Sequence, residues 1–522
     1  MGEGVLKYYK TKIRKEYKIA FYSTLIVALL VHIYKFTNTL PNHDSLYNYY
    51  STQNIIGSGR WALSLACGIS SYWDLPWVIG LLSCIFIAMT VVVIVALFKL
   101  NNPVLIILTG ALLAASPSTT ETLFFLYTAD GYFIAMLLAA IAVYYSKIGE
   151  NRVFRLFLSG LCICVSCGIY QAYVSFALVL ALCHLIDNLL LGNYEKKDYL
   201  KWVIRQVIIY SLSLAAYFVI WKVCLYFSGE AANDYLGISE VGRIDLHMIL
   251  GGFAHSVETT NAYFLQWNVM KYGFTLYSFL CIIFIVIMLT GLMLAFVKSK
   301  IVKRKWAVVL FIMALLAIIP FSCIWHFTSR SLKYENRMLQ CMTLLFILTA
   351  MLFERWARPL FKNAVCLFLL LTIFNNALMA NISYYYMNLT YERTYAEAVE
   401  MMMKIHDLQD EYDIKNLAVV GNRAAEVQWE YLDPNTGRIA PVGKIYLFSG
   451  RLKTNLFIDS ELTVRFLQNT LGLGLKSVTK EKIAELSESS EVQAMRCWPS
   501  RDSMKVIKDV LVIKLSDESK NN

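Results

Sequence analysis

Charge is what this 522-residue chain is short of: 16% of its residues are Asp, Glu, Lys or Arg, against 58% apolar. At a mean hydropathy of +0.52 there are too few polar side chains to cover a surface in water, which excludes an ordinary water-soluble protein. The apolar runs lack two-residue alternation, which excludes a membrane β-barrel. No Gly-rich strand-loop-helix pattern appears, so a nucleotide site has no support. Asp-rich metal spacing is absent as well, leaving a divalent ion without support. There is no internal repeat, and the interiors of the apolar runs are nearly free of charge, Lys222 being the main exception. Transporters concentrate charge at the bilayer midplane, often on repeated halves, so both absences weigh against a carrier. No small-x-small cleavage site follows the first run between Thr37 and Pro41, so that run is expected to stay as an anchor. Of the twelve cysteines, only Cys497 lies away from the apolar runs, where it has no intrachain partner. Cys164 and Cys167 share a helix face that Cys162 does not, and they read as buried thiols.

What is present is a series of apolar runs near 19–36, 76–98, 103–120, 128–146, 154–171, 173–191, 203–227, 272–297, 306–325, 338–353 and 361–381. Eleven runs of about the length that spans hydrocarbon predict an α-helical polytopic membrane protein. Lys7, Lys10, Lys12, Arg14, Lys15 and Lys18 precede the first run. With that end cytoplasmic, the basic groups Lys147/Arg152/Arg155, Lys196/Lys197/Lys201/Arg205, Lys298 to Lys305 and Arg355/Arg358/Lys362 also fall inside. The net charge of +11 therefore reports topology and is no argument for nucleic acid.

After about residue 384 the long apolar runs stop and charges intersperse. The expected division is a transmembrane domain over 1–384 and a small extracytoplasmic α/β domain over 385–522. Tyr395, Val399, Met402 and Ile405 recur at helical spacing. Segments 416–420 and 444–448 read as buried strands, and 504–507 with 510–514 as a hairpin.

The outer connections carry the specific signals. The first, Thr37 to Leu75, holds Asn42, His43 and Asp44, then Ser58, Gly59, Arg60 and Trp61. Trp61, Leu65, Ile69 and Tyr72 follow the spacing of an amphipathic helix in the headgroup plane. Glu121 and Asp130 bracket the outer ends of the third and fourth runs. Arg330, Lys333, Glu335 and Arg337 crowd one short loop, and Asp234, Glu240, Arg243, Asp245, His247 and His255 stand in a longer one. Carboxylates on one wall and guanidinium groups on another suit a substrate with a lipid-borne phosphate and a reacting hydroxyl.

At these residues the chain resembles the GtrII-type glucosyltransferases of bacterial cell-surface polysaccharide synthesis, integral-membrane enzymes of the GT-C structural class. The resemblance rests on Asn42 to Asp44 with Ser58 to Trp61 behind, on Thr128, Ala129, Asp130 and Phe133, and on the tail Cys497 to Ile507. It runs in order over nearly the whole chain, and the soluble tail looks like the Gram-positive branch. It implies a multi-pass enzyme of the bacterial plasma membrane with a cytoplasmic N-terminus. The enzyme would move a hexose from a polyprenyl-phosphate sugar to a glycan acceptor outside. Implied partners are a small sugar-lipid flippase and a donor-making glycosyltransferase; no cofactor is implied.

The residues fit that chemistry. An inverting transfer needs a carboxylate base and cations for the departing phosphate. Asp44 is the expected base, with Asp130 and Glu121 orienting the acceptor or one of them serving instead. Arg60, Arg330, Lys333 and Arg337 are the expected phosphate ligands, Arg337 preferred for its place at the mouth of a span. Plainer roles compete: Asp130 as a helix cap, the arginines as snorkelling anchors, and His43 and His326 as hydrogen-bonded loop residues. A lipid-linked sugar flippase and a glycan polymerase or ligase are the rival functions.

Overall fold

The computed structural model describes residues 13–233, 246–265, 275–329, 332–423 and 454–517. The chain divides into two compact units, residues 1–37 with 52–381 and residues 38–51 with 382–522.

The first unit is helical. In chain order its helices are α1 Lys15–Thr37, α2 Leu63–Cys67, α3 Pro76–Phe98, α4 Pro103–Ala114, α5 Pro117–Phe124, α6 Leu126–Tyr145 and α7 Val153–Ile169. There follow α8 Tyr173–Leu191, α9 Lys196–Ser228, α10 Leu246–Leu265, α11 Leu276–Lys298, α12 Lys305–Ser322, α13 Thr343–Trp356 and α14 Pro359–Glu411, which continues into the second unit. Proline opens α3, α4 and α5, at positions whose N–H has no intrahelical partner to lose. Asn102 caps α4 by accepting from the Val104 amide at 2.9 Å, and Ser116 caps α5 by accepting from Thr119 at 3.1 Å.

Among the described residues, eight helices are long and apolar enough to cross a bilayer, or nine when α4 and α5, bent by 40°, count as one broken span. This corrects the expectation of eleven. All eleven runs fall on helices, but α7 has 17 residues and α13 has 14. At 1.5 Å per residue these reach about 26 and about 21 Å, short of the roughly 30 Å of hydrocarbon. Tyr170 turns to extended backbone and ends α7, while two 3-10 turns, Asn336–Met338 and Gln340–Met342, use up the start of the tenth run before α13.

The amphipathic helix expected over 61–72 is also corrected. Helix α2 covers only five residues and passes into a 3-10 turn, Gly68–Ser70. Ser71 and Tyr72 then take positive φ, which no helix continues through. Trp61 turns inward against Gly168 of α7, whereas Leu65 and Ile69 stay exposed. His247 and His255 lie on α10 rather than in a loop; Asp234, Glu240, Arg243 and Asp245 lie outside the described residues.

Among the described residues the second unit holds a four-stranded sheet with strand order β2-β1-β4-β3, where β1 is Asn416–Val420, β2 Lys476–Ser477, β3 Met504–Ile507 and β4 Val510–Lys514. Strand β1 runs parallel to β2 and β4, and β3 pairs antiparallel with β4, so the expected hairpin is present. The expected strand at 444–448 lies outside the described residues. Period-two alternation sends Leu417 and Val419 to one face and Ala418 and Val420 to the other. Helix α15 (Ser460–Leu471) and the end of α14 bury the first face; α16 (Lys480–Glu488) and Val492 cover the second. Leu46 packs into the first core, which is how segment 38–51 joins this unit.

In the first unit, α1 approaches α3 and α4 closely at two glycines. A Cβ on Gly80 would collide with Phe36, and one on Gly110 with Thr24. Gly110→Leu is therefore expected to destabilise the detergent-solubilised protein by about 1–3 kcal/mol, read as a lower thermal midpoint. Gly251→Ala, inside α10 where a Cβ would meet nothing within 4 Å, should not lower the midpoint.

Candidate functional site

Two arginines, two tyrosines and a glutamate from distant parts of the first unit converge. Arg60 stands at the end of a tight loop closed by its bridge to Ile55. Gly59 permits that loop: its φ is +79°, and a Cβ there would strike the Tyr217 hydroxyl and Gln171. Gln171 donates to Ser58 O at 2.8 Å and to Tyr217 Oη at 3.1 Å, and Trp221 donates to Ile56 O at 2.8 Å. The loop is thus pinned to α9 before Arg60 extends its side chain.

From there Arg60 Nη1 donates to Tyr132 Oη at 3.0 Å, and the guanidinium lies 5.1 Å from the Tyr170 ring centroid. Tyr132 and Tyr170 stack with centroids 4.1 Å apart and planes 6° from parallel. Arg337 approaches the same pair: its electrostatic neighbours are Tyr170, Tyr132, Glu121 and Tyr127. Its guanidinium sits 3.9 Å over the Phe125 ring and pairs with Glu335 at 2.5 Å. Glu121 is 2% exposed on α5, a helix buried all round. The Asn336–Met338 turn packs on α5, and Gln340 locks it there, donating to Thr119 Oγ1 at 2.8 Å and accepting from Ser116 Oγ at 3.2 Å.

Both arginines stay open on one edge. Arg60 Nε and Arg337 Nε are buried with no acceptor among the described residues. Cation–π contacts of this kind are worth roughly 2 kcal/mol when desolvated, so the ring faces help hold the charges. An oxyanion would complete the hydrogen bonding through charge-assisted bonds.

Of the expected site residues, the structure brings together Arg60, Arg337 and Glu121. Lys333 is exposed, and Arg330 lies outside the described residues. Asp130 is fully buried in the second turn of α6, where Oδ1 accepts from the Gly131 amide at 2.8 Å beside Ser70 and Cys67. Because α6 begins at Leu126, Asp130 does not cap it. Asp44 belongs to the second unit, where it starts the 3-10 turn Asp44–Tyr47. Its side chain is 41% exposed and lies 3.4 Å from His43 Nε2. Tyr170, Gln171 and Gln340 were not legible as site residues; an aromatic residue at the end of an apolar run was the one signal for Tyr170. Among the described residues no group of three or more His, Cys, Asp or Glu could hold a metal ion.

Residues 33–349 match the family model described as Glucosyl transferase GtrII. No curated protein and no solved structure matches.

His326 lies in the 3-10 turn Ile324–Phe327 after α12, whose Trp325 donates to Gln171 O at 3.1 Å. It is hydrogen-bonded to Thr259 Oγ1 at 2.9 Å, packs 4.6 Å from the Tyr334 ring, and is lowered to about 4 by burial and then by His255. Below its unfolded pKa of about 6.5 the unfolded chain takes up a proton that the folded chain refuses, so stability falls as pH drops from about 6.5 towards 4. The drop in thermal midpoint between pH 7 and pH 5 should be smaller in His326→Gln than in the wild type; an equal drop would remove His326 as its source.

Proposed function

The chain belongs to the GtrII glucosyltransferase family, and from that premise we propose that it transfers glucose from a polyprenyl-phosphate carrier to a cell-surface glycan, or its lipid-linked precursor, at the outer membrane face. The observation that carries this reading is the pair of guanidinium groups, Arg60 and Arg337, meeting at one stacked tyrosine pair with their Nε atoms open. In the transfer, the acceptor hydroxyl oxygen bonds to the anomeric carbon of glucose. The bond from that carbon to the phosphate oxygen breaks, and polyprenyl phosphate leaves with the electron pair. Arg60 and Arg337 bind the phosphate and stabilise the charge gathering on it as it departs. The hydroxyl proton passes to a carboxylate.

Asp44 is the carboxylate assigned as base: it is half-exposed, and among the described residues its ion-pair partner is His43 rather than an arginine. Glu121, an electrostatic neighbour of Arg337, serves to orient that guanidinium. The alternating basic bias of the loops supports a cytoplasmic N-terminus, with the second unit outside, where nucleotide sugars are not supplied.

Purified protein should transfer glucose from polyprenyl-phosphate glucose and not from UDP-glucose alone; direct transfer from the nucleotide sugar would overturn the donor assignment. Arg337→Ala should lower kcat/KM for the donor about 10- to 100-fold, the equivalent of one charge-assisted contact of about 1.5–3 kcal/mol.

Asp44→Asn keeps shape and hydrogen bonding but cannot accept the proton. Its kcat should fall by about 10²–10⁴ with donor binding retained, while Glu121→Gln should mainly raise the donor KM. Near-normal turnover in Asp44→Asn together with an inactive Glu121→Gln would move the base to Glu121.

A further inference from the structure

The second unit holds a cavity of about 920 Å³ at the carboxyl end of β1. Its position follows from the sheet order. The chain leaves β1 to form β2 on one side of it and later β4 on the other, and α15 and α16 cover opposite faces. Such a switch point leaves a crevice beyond the strand end, the usual ligand position in open α/β sheets. Gly421 lines it at φ +84°, and a Cβ there would run into the Ser516 backbone, so only glycine lets the chain turn away.

The lining defines the ligand chemistry. Asp459, Glu461 and Glu488 supply three carboxylates, and Arg465, Lys476 and Lys480 three cations, so the cavity has no net charge. A phosphate or acidic ligand calls for an excess of cations. A neutral ligand rich in hydroxyls can donate to the carboxylates and accept from the cations throughout. Tyr47 adds an aromatic surface, 37% exposed. The Arg465 guanidinium lies 4.8 Å from its ring centroid and donates to Glu461 at 3.1 and 3.2 Å, so Tyr47, Arg465 and Glu461 form one braced wall. The Tyr47 hydroxyl is pushed up to about 12 by burial and then by Asp459 and Glu461, so it remains a donor at neutral pH. An aromatic face beside alternating donors and acceptors matches a pyranose, whose C–H face is apolar and whose rim is hydroxyl.

We propose that this cavity is a binding site for the acceptor glycan, a neutral saccharide chain held between the Tyr47–Arg465–Glu461 wall and α16. The acceptor role rests on the transfer reading above; saccharide binding itself does not. Asp44 opens the turn that ends in Tyr47, so the segment that carries the assigned base also contributes to the saccharide wall.

The test uses the full chain in lipid nanodiscs. The probe is oligosaccharide from partial hydrolysis of the surface polysaccharide of cells lacking this chain, followed by calorimetric titration. Ala484, exposed on α16 and lining the cavity, is changed in Ala484→Trp to fill it. Glu461→Gln removes one charge without changing shape, so the test stands if the larger substitution fails to fold. At least tenfold weaker oligosaccharide binding is expected in each folded variant, with acceptor KM raised at least tenfold and donor KM unchanged. Lost binding in the variants supports the cavity even if the wild type transfers no glucose. Transfer by the wild type with unchanged oligosaccharide binding in both variants overturns the cavity and leaves the transfer reading intact. Stronger binding of inorganic phosphate than of oligosaccharide at the cavity would also overturn it.

Discussion

A guanidinium group taken out of water must find its hydrogen bonds and its counter-charge within the protein, and one end of the first unit is arranged around two that do so only in part. Arg337 has a side chain 12% exposed, with Glu335 on one edge and Phe125 beneath its face. Arg60 is held by the Tyr132 hydroxyl and the Tyr170 ring. The structure nearby serves to place these two groups. Gln171 and Trp221 fasten the loop before Arg60, and Gln340 fastens the turn that carries Arg337. A cation supported on its faces and open at Nε accepts an oxyanion without rearrangement, which is the preorganisation that phosphate departure requires.

Much of this architecture is legible from residue order alone, because the hydrocarbon constraint acts locally. Each apolar run falls on a helix, and the β3–β4 hairpin and strand β1 stand where alternation and burial place them. The errors arise where backbone geometry intervenes without changing composition. Tyr170 goes extended and cuts α7 short, 3-10 turns delay α13, and positive φ at Ser71 and Tyr72 ends the headgroup helix early. Arg60, Arg337 and Glu121 are recognisable as charges at span ends, but the Tyr132–Tyr170 stack that joins them depends on packing between α6 and the end of α7, which periodicity does not encode. Segment 38–51 reads as part of a polar outer connection, and what joins it to the second unit is packing that the sequence pattern does not show: Leu46 lies in the core with Met401, Ile405 and Phe466, and Tyr47 lies against Arg465.

The family match covers 33–349 and so takes in Asp44, Arg60, Glu121, Asp130 and Arg337 while stopping short of residue 382. Most of the second unit lies beyond it. That unit has its own two-faced core and its own balanced polar cavity, features that a mere tether would not need. On the proposed reading the two substrates differ in character, the donor anionic and lipid-borne and the acceptor neutral and hydroxyl-rich. The arginine cluster suits the first and the cavity the second.

The most direct measurement of the central claim is a cryo-electron microscopy structure of the full chain in nanodiscs with polyprenyl-phosphate glucose bound. The phosphate oxygens are predicted within hydrogen-bond distance of Arg60 and Arg337, with Nε of each arginine donating to them and the Tyr132–Tyr170 stack preserved. A phosphate bound elsewhere, with both guanidinium groups unchanged, would contradict the claim.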